Sequence, residues 1–573
     1  MSRSPGPLLV FGPRSLDYDF GPSHPLTPLR FGPGIDLLRE LGAEPGLAPE
    51  PAPDDELLLC HTAEYIATVR RLSSDPDGPS SNGIGHTDNP PFAGMHEAAA
   101  AVAGGSLRAV DAILAGDVEH AFHPGGGLHH ATPHRASGFC IYDDPALAIA
   151  RARAAGHRVL YLDFDVHHGD GVQEIFAADP GVLTLSFHES GRYLFPGTGF
   201  INELGHGVAA GTSLNVPLEP GSGETAWLAA VRALVPGLAA SFGPDLVVTQ
   251  HGCDSHAWDP LAHLRVTTTA MGAAARLCDA IAHRWSDGRW LATGGGGYAA
   301  YRVVPRAWSL VWLAGAHRDA PSETPAAWRE RWEGAAARFG DAPMPVTLED
   351  EPNAGLPEDH AQEAAEARAE GTIELVERLA MPRLVREALA RGWLDPLAPA
   401  PAASAEPAPG VGSPAVIDRL EPHVLDRCRF AERVIGPADL AAAQGLLAAA
   451  MRHGASVTAA LEGTTIVGLV VTAPSRSDPM ADELMALGVA PRWRRRGLAT
   501  RMLEQHVAAR RPGDRSLVAE VGVAERDPVE PLEAGTRAAI ARTLLERVGF
   551  GVRPADPPLG AADPWAISAS RSG

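Results

Sequence analysis

Disulfide chemistry is the first thing the sequence lacks. Its five cysteines (Cys60, Cys140, Cys253, Cys278, Cys428) form no CxxC pair. An odd, scattered set reads as reduced thiols rather than a disulfide framework. Positive charge is also scarce: 48 Lys and Arg stand against 70 Asp and Glu, a formal net charge of −22. That balance argues against non-specific nucleic-acid binding and against attraction to an anionic membrane. The opening MSRSPGPLLVFGPRSLDYDF has one arginine before a very short apolar run. It lacks the apolar core and cleavage site of a secretory signal, and no apolar stretch reads as long enough to span a bilayer. The expected location is cytoplasmic, with neither nucleic acid nor membrane as partner.

A chain of 573 residues is too long for one ordinary core. Its clearest boundary is the segment 396–415. Six prolines and one charged residue between 396 and 414 cannot build a core and read as a semi-extended spacer. Before it, strand-like runs alternate with Ala-rich helical stretches, the pattern of βα units on a mainly parallel sheet. We expect a first domain over 1–320, a helical extension over 321–395, the linker, and a shorter α/β domain over 416–573.

Five apolar runs in the first domain end in polar or glycine-rich turns. EHAF precedes HPGGGLHHA (119–131), RVLYLDF precedes DVHHGDG (158–171), and GVLTLSF precedes HES (181–190). DLVVTQ precedes HGCDSH (245–256), and RWLAT precedes GGGGY (289–298). Ligands of open parallel sheets bind at the carboxyl ends of the strands, so five such ends suggest one convergent site.

In an extended chain, Asp163, Asp165 and His167 share one face, with Phe164 and Val166 on the other. Two carboxylates and an imidazole there repel and desolvate one another unless a cation lies between them. One further ligand, for which Asp254 past the strand DLVVTQ is the natural candidate, would complete a three-ligand metal site with open positions. An Asp/His/Asp set is hard for zinc and also tolerates Fe(II), with zinc the favoured ion. Adjacent His129 and His130, after Gly125-Gly126-Gly127, could move a proton from a water to a leaving amine. Asp163 and Asp170 are available to orient those rings. Tyr298, after four glycines, could donate to a developing oxyanion.

Together FHPGGGLHHATPHRASGFCIYDDPALA, VLYLDFDVHHGDGVQEIF, LFPGTG, HGCDSHAWDPLAHL and GGGGY resemble the ordered motifs of histone deacetylases, most of all the bacterial acetoin-utilisation type. The resemblance covers roughly residues 8–320. It implies a three-layer arginase/deacetylase-type parallel sheet and zinc-dependent hydrolysis of acetyl-lysine amides. It implies zinc ligands Asp165, His167 and Asp254, with pairs His129–Asp163 and His130–Asp170. His130 would be the general base and acid, and Tyr298 would polarise the amide carbonyl. Phe139 and Phe195 would line a tunnel for the acyl-lysine stem, Asp88 would hold the substrate backbone at the rim, and backbone oxygens near Asp163, Asp165 and His167 with Ser186 would hold a structural potassium ion. The sequence departs from eukaryotic enzymes at Ser255-His256-Ala257-Trp258 and at Ala299, both near the pocket.

In the C-terminal part, ELMALGVAP (483–491) reads as a strand and TRMLEQHVAA (500–509) as a helix. Between them Arg494-Arg495-Arg496-Gly497-Leu498-Ala499 resembles the pyrophosphate loop of GCN5-related N-acetyltransferases, where backbone N–H groups at a helix N-terminus hold acetyl-CoA. Upstream, ASVTAALEGTTIVGLVVTAP reads as a hairpin turning at Glu462-Gly463; downstream, ARTLLERVGFGVRP reads as a closing helix and turn. The tyrosine that often serves this family as general acid is Leu545 here, leaving Glu483 and Glu520 as candidate bases. The resemblance implies either an acetyltransferase or a degenerate acetyl-CoA sensor. Rival readings of the first domain are an arginase-like ureohydrolase, an acetylpolyamine deacetylase and a non-catalytic binding module. The fusion suggests an acetylated protein partner, such as an acetyl-CoA synthetase.

Overall fold

The computed structural model describes residues 6–390 apart from 86–87 and 358–359. Beyond these it describes 414–417, 420, 429–430, 447, 451, 455–462, 465–474, 481–489, 498–510, 516–521, 545–546, 550–554 and 567–571. The chain divides into two compact units, one formed by residues 1–235 and 243–376 and the other by 236–242 and 377–573. The linker expected at 396–415 falls almost wholly outside the described residues.

The first unit is built on an eight-stranded sheet. Its strands are β1 (Leu8–Val10), β2 (Pro45–Leu47), β3 (His120–His123), β4 (Val159–Asp163), β5 (Val182–Glu189), β6 (Ser213–Leu218), β7 (Leu246–Gln250) and β8 (Trp290–Thr293). They run in the order β2-β1-β3-β8-β7-β4-β5-β6, and every pairing is parallel. Strands β4, β5, β7 and β8 are buried at every residue, as expected where helices cover both faces. The five runs read from the sequence are five consecutive neighbours, β3-β8-β7-β4-β5. Their ends line up across the sheet, with His123 opposite Thr293, Thr293 opposite Gln250, Gln250 opposite Asp163 and Asp163 opposite Ser186. One row of residues thus closes four strands and crosses the fifth, β5, at Ser186. One boundary differs: β5 runs on through His188 and Glu189, because both are buried and remain paired with β6.

Helix Met95–Ala115 corrects the expectation about apolar length. It is the helix among the described residues that is long and apolar enough to cross a bilayer, with a mean hydropathy of 1.4, but 72% of that window is buried. Its small residues explain both properties. A Cβ on Gly104 would sit 1.9 Å from the Glu50 carbonyl oxygen, so the loop before it can pack directly on the helix backbone. Gly116 ends it in the left-handed conformation, φ +77°.

Helices Ala326–Phe339 and His360–Ala390 occupy the stretch read as helical. The first is tied to helix Phe31–Glu40 through Trp328 Nε1 on the Pro33 carbonyl (2.9 Å) and Trp332 Nε1 on Asp36 (2.8 Å).

The second unit has its own sheet: β9 (Ala415–Ile417), β10 (Arg429–Phe430), β11 (Ser456–Glu462), β12 (Thr465–Pro474), β13 (Ala481–Val489), β14 (Ser516–Val521), β15 (Gly551–Pro554) and β16 (Ile567–Arg571). Strands β11 and β12 form the expected hairpin, but Glu462 pairs with Thr465 and so ends the strand instead of making the turn. The helix after the arginine-rich loop spans Leu498–Ala508, and the loop residues Arg494, Arg495, Arg496 and Gly497 lie outside the described residues. Of the downstream segment, Gly551–Pro554 forms a strand. The side chains of Glu483 and Glu520 are also outside the description.

His506 sits on that helix between the hydroxyls of Thr458 (2.8 Å) and Thr472 (2.9 Å), and burial, reinforced by Arg510, lowers its pKa to about 4. The unfolded ring ionises near 6.5, so this contribution to stability is complete above about pH 6.5 and is lost as the pH falls towards 4. Urea unfolding of this unit should lose up to about 3 kcal/mol over that window, and His506→Gln should flatten the step.

Candidate active site and metal centre

The alternation read from the sequence survives past the end of β4. Phe164 faces the core and stacks on Phe187 (5.7 Å between ring centroids), while its N–H donates to the Gln250 carbonyl and prolongs the pairing with β7. Asp163, Asp165 and His167 point the other way, but they divide between two tasks. Asp163 Oδ2 accepts from His129 Nδ1 (2.7 Å) and from the Tyr161 hydroxyl (2.7 Å). Asp165 and His167 instead converge with Asp254, all three donor atoms lying within 4.8 Å of one another. His167 Nδ1 is 3.0 Å from Asp165 Oδ1 and 3.1 Å from Asp254 Oδ2.

The chain around this triad is built to hold it. Asp254 Oδ1 accepts from the Val166 N–H (2.9 Å), and Asp165 Oδ2 accepts from Gln250 Nε2 (2.7 Å) and the Gly296 N–H (2.8 Å). A Cβ on Gly296 would fall 1.9 Å from Asp254 Oδ2, so the glycine run is needed for close approach. The residues fit a divalent cation. Burial, then the negative charge of Asp165, pushes the Asp254 carboxyl up to about 6. Two buried carboxylates facing one imidazole need a positive charge between them.

Beside the triad, His129 and His130 face each other, Nε2 to Nε2 at 3.0 Å, and His130 Nδ1 lies 2.6 Å from Asp170 Oδ1. Asp170 begins helix Asp170–Phe176, whose Gly171 N–H donates to the His129 carbonyl. The histidine loop is fixed from behind, with Gly127 and Leu128 N–H donating to the buried Asp144 at 3.0 and 2.8 Å. Burial disfavours charge on both rings, but the partners separate them. Asp163 and Asp165 lift His129 to about 10. Burial and the adjacent His129 take His130 down to about 4, against the pull of Asp170. The surroundings thus favour the charged form of His129 and the neutral form of His130.

Tyr298 joins Gly127, His129, His130, Phe139, Asp165 and His167 around one pocket. Its N–H donates to Asp259 Oδ2 (2.8 Å), which fixes the turn after the glycines. The Phe139 ring packs edge-on to Tyr298 at 6.0 Å, and Phe195, 40% exposed, packs edge-on to His130 at 5.0 Å. Asp88 is exposed, and its carbonyl accepts from His24 Nε2 (3.2 Å), whose ring lies 4.5 Å from Phe139. Ser186 is buried with its hydroxyl 2.9 Å from His188 Nδ1.

His256, in the segment where the sequence departs from eukaryotic enzymes, turns away from the triad. Its Nε2 bonds Asp350 (2.8 Å) and its Nδ1 accepts from the Trp258 N–H (3.0 Å). Sequence reasoning missed this support, as it missed Tyr161, Gln250 and Arg30, whose guanidinium donates to the Gly295 carbonyl (2.7 Å). The signal for Gln250 was a polar residue closing an apolar strand.

A parallel α/β sheet carrying an Asp/His/Asp triad beside a histidine pair defines a hydrolase-type centre. Residues 24–314 match the histone deacetylase domain, and residues 425–529 match the acetyltransferase (GNAT) family. The acetoin utilization protein AcuC of Bacillus subtilis is 43% identical over 333 residues, 57% of this chain and 86% of that protein. AcuC of Staphylococcus xylosus is 36% identical over 332 residues, 56% of this chain and 86% of its own length. Among solved structures, an HDAC homolog complexed with SAHA matches with a TM-score of 0.56 and 30% identity, over 64% of this chain and all of that one. An HDAC homolog from Aquifex aeolicus matches with a TM-score of 0.55 and 29% identity, over 63% of this chain and 99% of that one. The chain belongs to the histone deacetylase family, with a GNAT-type region in its C-terminal part.

Proposed function

We propose that the first unit hydrolyses acetyl-lysine amides in a zinc-dependent reaction. The observation that carries this reading is the geometry of two carboxylate-held imidazoles, His129 on Asp163 and His130 on Asp170, beside the Asp165/His167/Asp254 triad, with Tyr298 on the same pocket. Asp165, His167 and Asp254 would hold the ion, which when bound polarises the acyl carbonyl and lowers the pKa of water. Fe(II) is the alternative for the same ligands.

His130 takes the proton from the attacking water, held in orientation by Asp170. The tetrahedral oxyanion receives a hydrogen bond from the Tyr298 hydroxyl. The amine then leaves with a proton from the histidine pair, giving free lysine and acetate. Phe139 and Phe195 exclude water from the apolar stem and Asp88 meets the substrate backbone at the rim, while backbone oxygens near Asp163, Asp165 and His167 with Ser186 would hold a structural potassium ion. Acetate release from an acetyl-lysine peptide tests the reading. Tyr298→Phe should lower kcat about 10²- to 10³-fold with little change in KM. Turnover of acetylated polyamines but not peptides would reassign the substrate, and turnover of neither would leave a binding module.

The second unit is read as an acetyl-CoA site, active or sensory, formed by Arg494, Arg495, Arg496, Gly497, Leu498 and Ala499. Supporting this, β13 and β14 pair in parallel over only Ala481–Glu483 and Ser516–Val518, while β13 continues to Val489 towards the loop. The physiological substrate would be an acetylated metabolic protein in the cytoplasm, such as an acetyl-CoA synthetase. The relatives named for acetoin utilisation and the fused GNAT region support that choice.

A further inference from the structure

At the opposite end of the sheet from the triad, four side chains from three separate elements meet. His120 opens β3, Asp279 and His283 stand one turn apart on helix Thr268–Trp285, and His317 follows helix Val304–Gly315. Three imidazole Nε2 atoms and one carboxylate oxygen converge. His120 is 3.1 Å from His283, His283 is 3.0 Å from His317, and Asp279 Oδ1 is 3.2, 3.4 and 3.0 Å from His120, His283 and His317. A tetrahedral ion with bonds of about 2.0 Å requires ligand separations of about 3.3 Å. These five separations lie within a few tenths of an ångström of that edge.

Hydrogen bonding does not account for the arrangement. Each Nε2 offers either one proton or one lone pair, yet His283 Nε2 lies within 3.4 Å of two other Nε2 atoms and the Asp279 oxygen. His317 holds its ring there from a left-handed backbone, φ +52°, which is uncommon for a residue with a Cβ. His120, buried at 5% exposure, and the partly buried Asp279, at 17%, form the floor, while His283 and His317, at 38% and 42%, leave an entry from solvent.

We propose that His120, Asp279, His283 and His317 form a second divalent-metal site, for an ion of the zinc type. Three imidazoles and one carboxylate fill four positions, so the site is closed and structural rather than catalytic. The ion staples the start of β3 to the ends of two helices. This proposal does not rest on the hydrolytic reading, and its test needs no turnover.

Full-length protein loaded with zinc and freed of excess by gel filtration should carry one equivalent more than the His283→Ala/His317→Ala double variant. The isosteric Asp279→Asn should show the same deficit, which guards against a folding defect in the double variant. Zinc should also raise the Tm of the wild type about 3 °C more than that of either variant. Equal metal content in the three proteins, or an equal response of Tm to zinc, would overturn the proposal.

Discussion

Asp254→Ala should abolish acetate release, with kcat/KM falling by at least about 10⁴-fold, and should lower the metal content by one equivalent. The loss has two sources. The substitution removes one of three converging donors, and it also frees the Val166 N–H that Asp254 Oδ1 accepts, so the segment carrying Asp165 and His167 loses an anchor. His130→Ala separates ion loss from proton transfer. It leaves the triad intact and should cost about 10²- to 10⁴-fold with full metal content. If Asp254→Ala retained its metal and turned over normally, the triad would not be the centre.

The largest stability effect is expected at Asp350→Ala, at about 3–5 kcal/mol. Asp350 is 4% exposed and Arg306 fully buried, and their 2.7 Å ion pair is one strand of a network. The other Asp350 oxygen accepts from the Thr268 N–H (2.9 Å) and hydroxyl (2.8 Å) and lies 2.8 Å from His256 Nε2. Burial raises the carboxyl's pKa, but His256 and Arg306 together hold it well below the usual carboxylate range, so it stays charged. Removing it leaves a buried guanidinium without its counter-charge. Because His256 lies two residues from Asp254, activity should fall beyond what unfolding explains. Urea unfolding and acetate release from the still-folded fraction measure the two effects separately.

Asp350 also shows where the sequence stops being legible. The five strand ends were readable because each joins an apolar run to a polar turn, and the sheet does bring those five together. The split of Asp163 from the Asp165/His167/Asp254 triad was not readable from alternation alone, since alternation puts three donors on one face without saying what each will meet. It came from the family resemblance, and the 2.7 Å contact with His129 agrees with it. Asp350 and the His120 cluster gave no local signal beyond the Asp279/His283 spacing of four, because their partners lie 34 to 163 residues away. Glu462 was misplaced at a turn for the ordinary reason that strand ends and turns share polar residues.

The row of residues that runs across the five strands has a consequence for how the protein is made. The contacts in the loops just beyond it bridge 34 residues between His129 and Asp163, 88 between Val166 and Asp254, and 131 between Asp165 and Gly296. Contacts of such high order form late, after the local helices and the first strand pairs. A growing or refolding chain therefore holds no hydrolytic centre until β8 has inserted between β3 and β7. Recovery of catalysis should lag behind recovery of secondary structure, and a half-assembled sheet cannot act on the wrong amide.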